Sequence, residues 1–166
     1  DSIFLRVPGG PSLTYRDVDR RSACMATALR DLGVEVGDRV VVQVDKSTDN
    51  VALYLACLRI GAVFLPLNSA YTSSEVDYFI GDAAPALVVA RPDTLGDLAV
   101  TTVHLGTVGD GSFAAAADHA APTDEIVERA TDGLSGNAVA VMVEGVRPML
   151  IELQALCSTA VYGTPQ

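Results

Sequence analysis

The stretch Leu58 to Asn68, LRIGAVFLPLN, constrains the fold more than any other part of the chain. Gly61 closes a helix and a short apolar strand begins at once. Its neighbours continue the alternation. Arg39 to Val44, RVVVQV, is a β-branched run between Gly37 and Asp45 and reads as a buried strand. Residues 49–60 form a helix that is apolar on nearly every side, the pattern of a helix sandwiched inside a larger fold. Val63 to Leu65 is the next strand, with Pro66 ending its pairing. Thr72 with Glu75 makes a capping-box start for a helix through about Asp82, and Pro85 separates it from the strand Ala86 to Ala90. Strand, helix, strand, helix, strand predicts an α/β fold: a partial parallel sheet with helices on its faces.

The flanks add smaller elements. Residues 3–8 read as a short strand ended by Pro8, Gly9, Gly10 and Pro11. Thr14 caps a helix with Asp17 in the reciprocal position; Val18, Met25, Leu29 and Leu32 share one face, and Gly33 supplies a left-handed exit. Arg16, Arg20 and Arg30 fall elsewhere and read as solvated surface. Val103 to Leu105 adds a strand and Ser112 to Ala120 an alanine-rich helix. Residues 121–136 carry Pro122, a charge cluster and Gly133-Leu134-Ser135-Gly136, and read as a linker or junction. Beyond it, Ala138 to Val143 and Met149 to Ala155 are strand candidates around the turn Glu144-Gly145-Val146-Arg147-Pro148. Met149, Ile151, Leu153 and Ala155 alternate with Leu150, Glu152 and Gln154, so a hairpin-like tail is expected.

At 166 residues, 49% apolar and 19% charged, the chain suits one globular domain or a domain with an appendage. Without tryptophan, the core must come largely from Val, Leu, Ile and Ala. The net charge of −10 repels phosphate backbones and argues against general nucleic-acid binding. That charge lies almost wholly before residue 133; beyond it stand only Arg147, Glu144 and Glu152. Cys24, Cys57 and Cys157 form no CxxC spacing; Cys24 and Cys57 sit in helical apolar patterns and are expected to be free buried thiols, in a reducing, cytoplasmic setting without disulfides or a zinc site. The longest apolar run, Val51 to Leu58, is too short to cross a bilayer, and no membrane association is expected.

Several residues have the chemistry for a site and a simpler explanation beside it. The Gly106-Thr107-Val108-Gly109-Asp110-Gly111-Ser112 stretch resembles a phosphate-cradling loop but lacks the Walker lysine and the dinucleotide spacing, so a turn before a helix is favoured. His104 and His119 have no second ligand pair and read as surface or satisfied histidines. Ser73, Ser74, Ser112 and Ser158 lack a Gly-x-Ser-x-Gly setting. Asp17, Asp19, Glu75 and Asp77 sit at helix starts, where the macrodipole accounts for them. Arg147 is explained by the turn before Pro148. No catalytic, cofactor-binding or metal-binding residue is assigned from these patterns.

The segments LTYRDVDRRS at 13–22, GDRVVVQVDKS at 37–47, LYLACLRIGAVFLPLN at 53–68 and YTSSEVDYFIGDAAPALVV at 71–89 resemble the N-terminal part of the AMP-forming acyl-CoA synthetases. VQVDKS, YLACLRIGAVFLPLN and DYFIGDA are similar in particular to malonyl-CoA synthetases. The resemblance covers residues 1–132 and implies the adenylate-forming fold, ATP, magnesium and coenzyme A as cofactors, and malonate as the carboxylic acid, activated as an acyl-adenylate. DEIVERATD at 124–132 is similar to the stretch before that family's phosphate loop, yet the Thr/Ser/Gly-rich segment ending in Pro-Lys-Gly does not follow. No family catalytic position is matched.

Residues 134–166 resemble the start of the Lon-protease-like domain of the bacterial RadA DNA-repair proteins, through Glu144-Gly145-x-Arg147-Pro148 and the strand IELQAL at 151–156. The organisation expected is a partial adenylate-forming subdomain at 1–120, a linker at 121–136 and a β-rich tail at 137–166, joined as a hybrid near 132–135. The function expected is that of a ligase fragment, inactive alone, with exposed apolar surface where later segments would cover helix 49–60. A non-catalytic association module that pairs through an uncovered sheet edge or the orphan hairpin, by strand addition or by completing a fold, is the alternative reading, and a DNA-repair accessory role a weaker one.

Overall fold

The computed structural model describes residues 2–92, 98, 100–107, 109–124 and 126 in full, and residues 137–144 and 147–154 by their backbone. The chain divides into two compact units, Asp1–Val127 and Glu128–Gln166.

In the first unit, β1 (Ile3–Arg6) pairs antiparallel with β2 (Ser12–Thr14) around the Pro-Gly turn. The short β2 carries no alternation long enough to read from sequence. Thr14 ends β2 and caps α1 (Tyr15–Asp31); its Oγ1 accepts from the Asp17 amide at 3.2 Å, and its own amide donates to Asp17 Oδ2 at 2.9 Å. Gly33, at φ +87°, turns the chain out of the helix as expected.

The central sheet is parallel, in the order β4 (Val63–Pro66), β3 (Arg39–Gln43), β5 (Leu87–Ala90), β6 (Thr102–His104). α2 (Thr48–Ile60) carries the chain from β3 to β4 and ends at Gly61 in the left-handed conformation, φ +74°. α3 (Ser73–Ala83) carries it back across β3 to β5. Right-handed crossovers in opposite directions put α2 and α3 on opposite faces. α4 (Ser112–His119) follows β6 and packs against α1, on the α2 side.

Val40, Val42, Leu87, Val89, Val103 and Leu105 form one core with Met25 and Leu29 of α1, Leu53 and Ile60 of α2 and Phe113 of α4. The all-apolar pattern of α2 predicts a helix left bare for want of later segments. Instead α1 covers it from within the chain, burying Ala52, Leu53, Ala56, Cys57 and Ile60. Leu58 is what remains open, at half exposure.

β4 also runs further than expected. Pro66 aligns with Val42, and the Leu67 amide donates to Val42 O at 2.8 Å. The ladder to β3 uses the odd-numbered amides, so a proline at 66 interrupts nothing on that side.

In the second unit, β7 (Asn137–Glu144) and β8 (Arg147–Gln154) form an antiparallel hairpin with Val143 opposite Pro148 and Glu144 opposite Arg147. Arg147 and Pro148, expected in the turn, are strand residues. A two-stranded ribbon has a free side for every strand, where a missing amide costs no pairing. Gly145, Val146, residues 127–136 and the end of the tail with Cys157 and Ser158 lie outside the described residues.

Candidate functional site

In open α/β sheets the place for a ligand is the carboxyl edge, where the strand order reverses. Here that is the crevice between the ends of β3 and β5, since α2 leaves to one side of β3 and β5 returns on the other. Gln43, the buried last residue of β3, donates from Nε2 to Asn68 O at 3.0 Å and to Tyr71 O at 3.1 Å. Arg91, just past β5, donates to Ser69 O at 3.1 Å and faces Asp45 Oδ1 at 3.8 Å. These bonds bind the Asn68–Tyr71 loop to both central strands. Ser47 Oγ caps α2 by accepting from the Asn50 amide at 3.1 Å. The edge is thus well fixed by Gln43 Nε2 and Arg91 Nη2.

The loop at 106–112 lies nearby and its electrostatics are wrong for phosphate. The Gly106 amide donates to Asp110 O at 2.7 Å. A Cβ placed on Gly106 would meet the Asp110 carboxylate, and one on Gly109 would come 3.2 Å from Asp49 Oδ2. Acidic oxygens therefore crowd a loop that has no lysine, and these residues do not fit a triphosphate. Gly111 permits a close approach of backbone to backbone. At φ +105° its Cα lies so near His104 that a Cβ would stand 2.2 Å from the carbonyl oxygen. The turn reading of this loop fits the structure.

Three helices meet at Arg21. Its guanidinium, on α1, donates to Asp49 of α2 at 3.1 and 3.0 Å and pairs with Asp118 of α4. Burial works against the charge, but Asp49 and Asp118 outweigh it and raise the pKa of Arg21 above its ordinary value. Asp19 pairs with Arg59 across α1 and α2. Arg21, Gln43 and Arg91 do not stand out in the sequence, because single charged or amide residues carry no periodic pattern.

The residues with candidate chemistry are scattered. His104 sits on β6, its amide bonded to Ser112 Oγ at 2.9 Å, and His119 ends α4 with Nδ1 2.7 Å from Ala115 O. Ser73, Ser74 and Asp77 are exposed on α3. Asp17 and Glu75 serve their helix caps. The Thr14 hydroxyl and then its amide hold the Asp17 carboxyl below the usual range, as the Thr72 amide and then its hydroxyl do for Glu75. Burial pushes the Cys57 thiol up to about 12, which keeps it protonated and unreactive. Among the described residues no group of three or more His, Cys, Asp or Glu is placed to hold a metal ion, and no helix is long and apolar enough to cross a membrane.

An open apolar groove of about 380 Å³ is lined by Phe4, Tyr15, Leu55, Leu58 and Ile126, with the Asp19–Arg59 pair on its wall. Tyr15, Leu58 and Ile126 are 61%, 50% and 64% exposed, so this is surface awaiting cover more than a formed pocket.

The family model described as AMP-binding enzyme matches residues 1–145. The chain belongs to the AMP-binding enzyme family. Its fold matches apo MatB from Rhodopseudomonas palustris with a TM-score of 0.72 and 35% identity, over 88% of this chain and 30% of that one. A feruloyl-CoA synthase from an Amycolatopsis species is 35% identical over 85 residues, 51% of this chain and 17% of the relative. Tyrocidine synthase 3 of Brevibacillus parabrevis is 27% identical over 141 residues, 82% of this chain and 2% of the relative. The chain thus spans a small part of each. It is the N-terminal portion of an AMP-forming acyl-CoA synthetase fold, and the family match runs through the junction expected at 132–135 into β7.

Proposed function

We propose that this chain is a piece of an ATP-dependent ligase that joins malonate to coenzyme A through an acyl-adenylate. The observation that carries the reading is the 35% identity to MatB across 88% of the chain. It includes the stretch holding YLACLRIGAVFLPLN and DYFIGDA, the words similar to malonyl-CoA synthetases. MatB also matches in a structure with ATP bound, which supports ATP as the nucleotide. Magnesium and coenzyme A follow from the family resemblance, and a cytoplasmic setting from the free thiols.

The 166-residue chain alone is proposed not to catalyse. Phosphoryl chemistry needs fixed positive donors around the phosphates. In the described structure Gln43 Nε2 and Arg91 Nη2 donate to the Asn68–Tyr71 loop, and the glycine-rich turn is faced by carboxylates. Malonate-dependent exchange of labelled pyrophosphate into ATP by the purified chain should stay at the no-protein level. Exchange above it would overturn this part.

The malonate reading is tested on a complete ligase recovered from uninterrupted DNA reads across codons 125–140. With malonate, acetate and benzoate offered in turn, malonate should form the CoA thioester fastest. Turnover of benzoate alone would end the malonate reading and leave the family untouched. The same reads test the kinship of residues 137–166 with the RadA Lon-like domain. Two adjoining genes, or a continuous ligase frame without the hairpin, would each decide the origin of the tail.

A further inference from the structure

The outermost strands of the parallel sheet are β4 and β6, and among the described residues neither has a strand beyond it. An outer strand offers every second amide to whatever lies beside it. In β4 the amides of Val63 and Leu67 donate inward, to Asp38 O at 2.7 Å and Val42 O at 2.8 Å. The outward positions are therefore Phe64 and Pro66. Pro66 has no amide hydrogen, so Phe64 is the lone outward donor of the strand.

In β6 the inward positions are odd-numbered: Thr101 O accepts from Val88 at 2.9 Å and Leu105 donates to Ala90 O at 2.8 Å. Thr102 and His104 face out. The outward amide of His104 is already bonded to Ser112 Oγ at 2.9 Å. Beside it, the backbone of Gly111 lies against the His104 carbonyl, so closely that a Cβ there would stand 2.2 Å from the oxygen. A strand approaching β6 would have to displace the start of α4.

We infer that lateral strand addition is impaired at both margins, by Pro66, which leaves β4 a single outward amide donor, and by the Gly111–Ser112 turn, which occupies the end of β6. Edge-to-edge pairing with a second copy of this chain is therefore disfavoured relative to association through the faces of the first unit. This weighs against the sheet-edge form of the association-module reading.

Amide hydrogen exchange of the full chain at two concentrations tests it. In the native chain the Phe64 and Thr102 amides should exchange at rates independent of concentration, with His104 protected throughout. Pro66→Val restores an outward donor, and Phe64 should then gain protection of roughly tenfold or more on raising the concentration. Ser112→Ala should speed His104 exchange by about tenfold at low concentration. Concentration-dependent protection of Phe64 or Thr102 in the native chain would overturn the inference, and so would a Pro66→Val chain that gains none while its Val40 and Val42 amides stay protected. If Pro66→Val fails to fold, the native chain and Ser112→Ala decide the matter: unchanged His104 exchange in Ser112→Ala overturns the closure of β6.

Discussion

On one face of the parallel sheet Val40, Val42, Leu87, Val89, Val103 and Leu105 lie beneath three helices. On the other, Val41, Val88 and Ala90 are equally buried, yet α3 offers only Val76 as a fully buried partner. The difference follows from sequence. α1, α2 and α4 carry Met25, Leu29, Leu53, Ile60 and Phe113 on converging faces, whereas α3 keeps Tyr78 exposed and Phe79 and Ile80 half-buried. Burial of strand residues is therefore a poor guide to how strongly a face is held. The helix side chains that meet them decide it.

Truncation should expose this asymmetry first. Phe113→Ala on the triple-helix face should cost about 3–5 kcal/mol, read as a lowered denaturant midpoint of the full chain. Val76→Ala on the α3 face should cost about 2 kcal/mol by the same measurement. Equal losses at the two sites would break the comparison. Arg21→Met sharpens it, because it loosens only the helices of the first face: with Asp49 left partly buried and unpaired, a loss of about 1–3 kcal/mol is expected.

The smallest effects lie at the caps, one belonging to each face. Thr14→Ala should cost about 1 kcal/mol through loss of the α1 cap. The Asp17 and Glu75 carboxyls are held below their usual range when folded. Their stabilising effect is full above the unfolded-chain values near about 4 and is lost as pH falls through the lower folded values. Replacing both, Asp17→Asn with Glu75→Gln, should flatten the fall in midpoint between about pH 5 and 3. An unchanged acid limb would show that these caps do not set it.

Much of this architecture is legible in the sequence because it rests on local chemistry. Thr14 with Asp17, Gly61 after Ile60 and the β-branched run of β3 each force a local conformation whatever surrounds them. β2 escapes such a reading because three residues cannot show a period, and the turn before Pro148 is misjudged because the proline pairs where an amide is not needed. The cover over α2 is illegible for another reason. That α1 lies on it is a tertiary fact, and the Arg21–Asp49–Asp118 junction that joins them spans residues far apart in sequence. The crevice at β3 and β5 follows from strand order, which alternation alone does not supply. Gln43 and Arg91 gain meaning only once that order is known.

The twin bonds from the Gln43 amide to the carbonyls of Asn68 and Tyr71 have a practical corollary for anyone re-engineering the chain. A spliced-in peptide or affinity tag at 68–71 would pull those oxygens off a donor sealed away from solvent, stranding it. The Gly9–Gly10 bend, exposed at the tip of the first ribbon, has no such tether to a sealed side chain and is the better graft point.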